Sequence, residues 1–169
     1  MAASYSRDKI KTLKRLLSLR EAWRWEGKSV IFTNGVFDLL HAGHVQSLEK
    51  AKSLGDILIV GLNSDASARR LGKGPGRPIN GWKDRAAVLA ALACVDAVAK
   101  FDEDTPTELL RHLRPDVLAK GADYRKSQVA GREYAGKVAL IPLAAGRSTT
   151  ALIGKISRLA RLKPTARRS

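Results

Sequence analysis

Short apolar runs alternate along this chain with stretches whose apolar positions recur every three or four residues. Val30-Ile31-Phe32-Thr33, a β-branched and aromatic run between Lys28-Ser29 and Asn34-Gly35, reads as a buried strand. From Gly43 onward Val45, Leu48, Ala51 and Leu54 fall at helical spacing, and Gly55-Asp56 closes that element. Residues 57–62 form a second strand and 66–71 a short helix. The segment 72–78, Gly-Lys-Gly-Pro-Gly-Arg-Pro, breaks regular structure and is a loop. A helix over 82–93 presents Ala86, Leu89, Ala90 and Ala93 on one face. Residues 97–99 are a third strand. Thr105-Pro106 opens a helix, with the hydroxyl at the N-cap and proline first inside, that ends before Arg114-Pro115. Residues 117–119 and 138–142 supply a fourth and a fifth strand, and Ser148 caps a last helix running to about Leu162. Residues 8–25 read as an added amphipathic helix docking Leu13, Leu16, Leu17 and Trp23.

This alternation predicts an α/β protein: a Rossmann-like, doubly wound, parallel five-stranded sheet with helices on both faces and an N-terminal helix. The expected division is a helical extension over 1–27, a central domain over 28–162 and a basic tail over 163–169. Ligands of such sheets bind beyond the carboxyl ends of the strands, where the strand order reverses.

Charge changes the picture less than its total suggests. The net +15 is concentrated at the ends: seven Lys/Arg against two acids in 1–25 and six against none in 155–169, leaving 26–154 at +4. Basic ends attract polyanions without specificity, and no aromatic interleaving marks base stacking. No specific nucleic acid partner is expected. No apolar stretch approaches the length of a membrane span, so no membrane partner is expected either. The one cysteine, Cys94, lies in an apolar run and reads as a packed thiol compatible with a reducing compartment, hence the cytoplasm.

The candidate chemistry begins where the first strand meets its helix, at Phe37-Asp38-Leu39-Leu40-His41-Ala42-Gly43-His44. His41 and His44 are three apart in the first helical turn, among free backbone N–H groups and at the positive end of the helix dipole, an arrangement suited to phosphate. Gly43 lets a bulky ligand approach the backbone. Two other readings stand beside this one. A histidine often just caps a helix, and a zinc site would need ligands beyond His112 and Cys94. Further candidates collect on the same sheet edge: Lys73 and Arg77 in the Gly-rich loop, Lys120-Gly121-Ala122-Asp123 after the fourth strand, and Gly146-Arg147-Ser148-Thr149-Thr150 at the last helix start.

Thr33-Asn34-Gly35-Val36-Phe37-Asp38-Leu39-Leu40-His41-Ala42-Gly43-His44 resembles the signature of the HxGH nucleotidyltransferase superfamily. Asn63-Ser64-Asp65, residues 74–80, Asp84-Arg85, residues 101–106, residues 114–116, Lys120-Gly121, Asp123-Tyr124 and residues 146–150 sharpen it toward the D-glycero-β-D-manno-heptose 1-phosphate adenylyltransferase family. The resemblance covers about 28–160 and leaves no room for the kinase half found in bifunctional members, so a stand-alone form is expected. It implies AMP transfer from ATP to heptose 1-phosphate with Mg²⁺ carried mainly by the nucleotide phosphates, in a homodimer serving lipopolysaccharide inner-core synthesis. It further implies catalytic roles for His41, His44 and Lys73, and nucleotide contacts from Asn34, Gly35, Val36, Phe37, Gly43, Gly121, Asp123, Gly146, Arg147, Ser148, Thr149 and Thr150. Substrate contacts are expected from Asp38, Arg77, Asp104, Thr105 and Lys120. One departure stands out. Related cytidylyltransferases carry Arg-Thr-x-Gly-x-Ser where this chain has Leu143-Ala144-Ala145-Gly146-Arg147-Ser148, which argues against CTP. A cytidylyltransferase for glycerol 3-phosphate or a similar alcohol phosphate, and a non-enzymatic polyanion binder, are the alternatives.

Overall fold

The computed structural model describes residues 6–72, 74–142 and 148–161. In chain order these are β1 (Ile10–Lys11), α1 (Leu13–Trp25), β2 (Val30–Gly35), α2 (Ala42–Lys52), β3 (Ile57–Asn63), α3 (Asp65–Arg70), α4 (Trp82–Ala91), β4 (Ala97–Phe101), α5 (Thr107–Leu113), β5 (Val117–Gly121), β6 (Lys137–Ile141) and α6 (Thr149–Arg161). The strands form one all-parallel sheet in the order β1-β4-β3-β2-β5-β6. Successive residues of β2 separate the two sides of the molecule. Ile31 faces a layer with Leu48, Leu58, Val60, Leu89 and Ala90, whereas Val30 and Phe32 face Leu16, Ile59, Leu110 and Leu118.

Aspartates finish the sheet's amino edge. Asp116 Oδ2 accepts from the Val30 amide at 2.7 Å, Asp96 Oδ2 from the Leu58 amide at 2.7 Å, and Asp56 Oδ2 from the Ser29 amide at 2.8 Å. Each lies just before one strand and satisfies a donor at or just before the start of its neighbour in the sheet, so register is fixed by side chains as well as by the ladder. The Ser29 hydroxyl and amide hold the Asp56 carboxyl below the ordinary carboxylate range. Arg20 of α1, nearly inaccessible, ties that helix to the same edge by donating to Leu113 O at 3.2 Å, Arg114 O at 3.0 Å and Asp116 Oδ2 at 3.3 Å.

Several expectations need correction. The sheet has six strands, not five, because Ile10-Lys11 pairs with Val98-Ala99, so the N-terminal segment is sheet plus helix rather than one helix. Of its expected docking residues Leu16 is fully buried, but Leu13 is exposed. α4 stops at Ala91, which leaves Ala93 exposed outside it. Thr105 does not cap α5. Pro106 holds the N-cap position without a side-chain bond, and the Thr105 hydroxyl pairs with that of Thr107 at 2.9 Å. Cys94 packs partly against the core, and burial pushes its thiol up, in keeping with an inert group.

Gly131 has φ +79°, and a Cβ there would lie 2.4 Å from Leu110 Cδ1, whereas Gly27 has φ +68° in open space. Gly27→Ala should therefore cost about 1 kcal/mol from backbone strain alone, and Gly131→Ala about 2–3 kcal/mol from strain plus collision. Urea denaturation of the two variants checks the difference.

Candidate active site

The strand order turns at β2. The chain lays β3 and β4 on one side of it and β5 and β6 on the other, so the crevice opens between the carboxyl ends of β2 and β5. Lys120, near the end of β5, donates to Asn34 Oδ1 near the end of β2 and lies over the Tyr124 ring, 5.3 Å from its centroid. Lys120 and Gly121 line a small cleft there with Thr33, Phe37 and Ser47.

After Gly35 the backbone turns sharply. Phe37 adopts φ +46°, a left-handed conformation that a non-glycine residue holds only when its surroundings enforce it. The enforcement comes from Arg85 of α4, whose guanidinium has no exposed surface. Arg85 Nη1 donates to Val36 O at 2.6 Å and Nη2 to Asn63 O at 2.9 Å and Asp65 Oδ1 at 2.7 Å, while Nε donates to Asn80 O at 3.0 Å. Four acceptors from three chain segments are gathered on one side chain. Burial pushes the Asp65 carboxyl up, but the hydrogen bond and charge of Arg85 and the Trp82 amide outweigh it and hold Asp65 below the ordinary range.

Beyond the turn, His41 is the N-cap of α2 and its Nδ1 accepts from the Gly43 amide at 3.1 Å. An imidazole accepting at Nδ1 carries its proton on Nε2, so His41 is set as an Nε2–H donor. The His44 ring stacks on it at 4.0 Å between centroids and 26° between planes, with Phe37 edge-on to His44 at 5.3 Å. Gly43, whose amide His41 accepts from, is buried. The start of α6 reaches the same turn: Thr149 Oγ1 donates to Leu39 O at 3.2 Å, and Ser148 Oγ caps the helix by accepting from the Ala151 amide at 3.1 Å. Asn34, Gly35, Val36, Phe37, His41, Gly43, His44, Lys120, Gly121, Ser148 and Thr149 are thus brought to one edge, with Thr150 exposed in the first turn of α6 and Asp123 exposed just past β5.

Other expected residues have different places. Asp38 was expected to touch substrate, but only 1% of its side chain is exposed and both oxygens are engaged. Oδ2 accepts from Arg77 Nε at 2.7 Å, and Oδ1 from the Ile79 and Asn80 amides at 2.7 and 3.0 Å. Asp38 and Arg77 together anchor the Gly-rich loop to the histidine turn, which is a structural task. Asp104 and Thr105 follow β4, two strands away from β2, and Asp104 pairs there with Arg70 at 2.6 Å. The structure does not bring either to the crevice. Lys73, Gly146 and Arg147 lie outside the described residues. Among the described residues no three or more His, Cys, Asp or Glu side chains cluster in a way that holds a metal, and no helix is long and apolar enough to cross a membrane.

A family model described as cytidylyltransferase-like matches residues 32–164. The chain belongs to the cytidylyltransferase-like family of nucleotidyltransferases. It is 55% identical over 153 residues to the bifunctional protein HldE of Syntrophotalea carbinolica, covering 88% of this chain and 31% of that protein. To the bifunctional protein HldE of Magnetococcus marinus it is 54% identical over 154 residues, covering 89% and 31% respectively. The chain therefore spans about a third of the length of these curated relatives. Among solved structures it is similar to a lipopolysaccharide core biosynthesis protein from Thermoplasma volcanium, with TM-score 0.58 and 28% identity over 70% of this chain and 98% of that one. The pantoate-β-alanine ligase of Francisella tularensis shares the fold, with TM-score 0.57 and 17% identity over 90% of this chain and 78% of that one.

Arg85 and Asn80 are structural residues of the site that the motifs alone do not single out. The signal for Arg85 was present, since an arginine four residues before Leu89 sits on an otherwise apolar helical stripe. Arg85→Met should cost about 3–5 kcal/mol in urea denaturation, because Asp65 and three carbonyls lose their shared donor. Asp65 titrates below its unfolded value of about 3.9, so its contribution is complete above that pH and is lost as pH falls through the folded value. Asp65→Asn should lower stability at pH 7 and flatten the acid limb of a stability–pH profile below about pH 4.

Proposed function

We propose that this chain transfers an adenylyl group from ATP to D-glycero-β-D-manno-heptose 1-phosphate, releasing pyrophosphate and giving ADP-heptose for the lipopolysaccharide inner core. The observation that carries the chemistry is the stacked His41–His44 pair at the start of α2, in the crevice where the strand order turns. The choice of sugar and of ATP rests on the motif resemblance along 28–160. Similarity to a protein described as acting in lipopolysaccharide core biosynthesis supports the pathway.

The reaction asks little covalent chemistry of the protein. A phosphate oxygen of the sugar attacks the α-phosphorus of ATP in line, an O–P bond forms, and the bond to the β-phosphate oxygen breaks as pyrophosphate leaves with its electron pair. The nucleophile is already an anion, so no general base is required. What remains is holding two mutually repelling anions and stabilising charge on the α-phosphate and the leaving group. His41, donating through Nε2, and His44 serve the α-phosphate oxygens. The N–H groups at the start of α2 and of α6, with Ser148, Thr149, Thr150, Gly146 and Arg147, serve the triphosphate. Asn34, Gly35, Val36, Phe37, Gly43, Gly121 and Asp123 line the nucleotide, while Lys73 and Lys120 neutralise the incoming phosphate. The described residues offer no carboxylate cage, a donor set that suits Mg²⁺ held by the nucleotide phosphates and water, where it would neutralise the triphosphate. The protein works in the cytoplasm as a homodimer.

His44→Ala should lower turnover by about 10²-fold or more while leaving the thermal unfolding midpoint nearly unchanged. Pyrophosphate release with Mg²⁺, crossing ATP and CTP against heptose 1-phosphate, glycerol 3-phosphate and phosphocholine, tests the whole reading. Release confined to ATP with heptose 1-phosphate is the expected result. Release with CTP and an alcohol phosphate would keep the chemistry and overturn the substrate, and near-normal turnover by His44→Ala would overturn the role of the histidines.

A further inference from the structure

α6 is only half used by the site. Its first turn rests on the body through Thr149 and the Leu39 carbonyl, and Leu152 lines a groove of about 350 Å³ with Leu39, Leu40 and Val88. At about 100° per residue, Leu152, Ile153, Ile156, Leu159 and Ala160 fall within an arc of about 120°. The apolar strip therefore continues past the point where the body stops covering it. Ile156 is 53% exposed and Leu159 57%, and Val88 of α4, 51% exposed, extends the strip across the groove.

We propose that this strip and its cations seat the protein on an anionic lipid surface, with α6 lying in the headgroup layer. The charge on the remaining face of α6 favours that occupant. Lys155, Arg158 and Arg161 are all exposed on α6, and from Tyr134 to Ser169 the sequence has eight Lys/Arg and no Asp or Glu. A second copy meeting the strip with its own α6 would bring like charges together. A nucleic acid would use the cations but leave Ile156 and Leu159 in water. An anionic bilayer takes both, its phosphates meeting the basic residues while the aliphatic side chains enter the acyl boundary. The earlier expectation of no membrane partner rested on the lack of a spanning segment, and a helix lying in the interface needs none. This inference is independent of the nucleotide and sugar assigned above.

The test is co-sedimentation of the full chain with extruded vesicles at physiological salt, comparing phosphatidylethanolamine–phosphatidylglycerol with pure phosphatidylcholine. Binding to the anionic vesicles and little to the neutral ones is expected. An Ile156→Asp, Leu159→Asp double variant should weaken partitioning about ten-fold or more, a Lys155→Glu, Arg158→Glu variant should do likewise, and both should keep vesicle-free pyrophosphate release and the unfolding midpoint. Equal binding to both vesicle types would overturn the proposal. So would anionic binding undiminished by the aspartates, which would leave only polyanion attraction of the kind a nucleic acid shares. A double variant whose solution mass halves while vesicle binding is unchanged would instead assign the strip to contact between copies.

Discussion

A guanidinium removed from water must find an acceptor for nearly every N–H it carries, and Arg85 finds four of them in three separate stretches of chain. Leaving that charge poorly partnered would cost several kcal/mol, so the carbonyls of Val36, Asn63 and Asn80 and the carboxylate of Asp65 are drawn to fixed positions around it. The left-handed turn at Phe37 follows, because Val36 O must point at α4 while the next residues swing into α2. Asp38 repeats the logic with opposite sign: a nearly inaccessible carboxylate collects Arg77 and two amides and brings the Gly-rich loop against the histidine turn. The backbone of the site is thus shaped by the hydrogen-bonding demands of two enclosed charges, and the histidines occupy the place that results.

The sheet supplies the frame. With aspartates satisfying strand amides at the amino edge, the carboxyl edge is left for function, and the reversal at β2 opens the gap that Lys120 and Asn34 bridge. Phosphate chemistry suits such an edge, since a parallel sheet aims the amino ends of its following helices at the same side.

Most of the architecture was legible in the pattern of apolar residues, because strands buried on both faces must be continuous apolar runs and covering helices must carry stripes. β1 was not, since two residues, Ile10 and Lys11, hold no periodicity. α4 was read too long because Ala93 continues the stripe in sequence though the helix has ended. The histidine turn was legible as a motif, and so was the gathering of Lys120 and Thr149 on its edge. Asp38 and Asp104 were misplaced for one reason: a carboxylate beside a motif looks the same in sequence whether it faces a ligand, a neighbouring arginine or solvent. Only the burial of Asp38 and the strand order near Asp104 separate these cases.

The bond from Thr149 to the Leu39 carbonyl joins positions 110 residues apart. A ribosome releases the chain from its amino end, so β2, the histidine turn and all six strands are made before α6 exists. The sheet has the means to form early, whereas the histidine turn receives its last contact only after almost the entire domain has been synthesised. A nascent chain therefore passes through a stage at which its core is complete and its pocket still lacks one wall, and emergence of the final helix is the event that ends it.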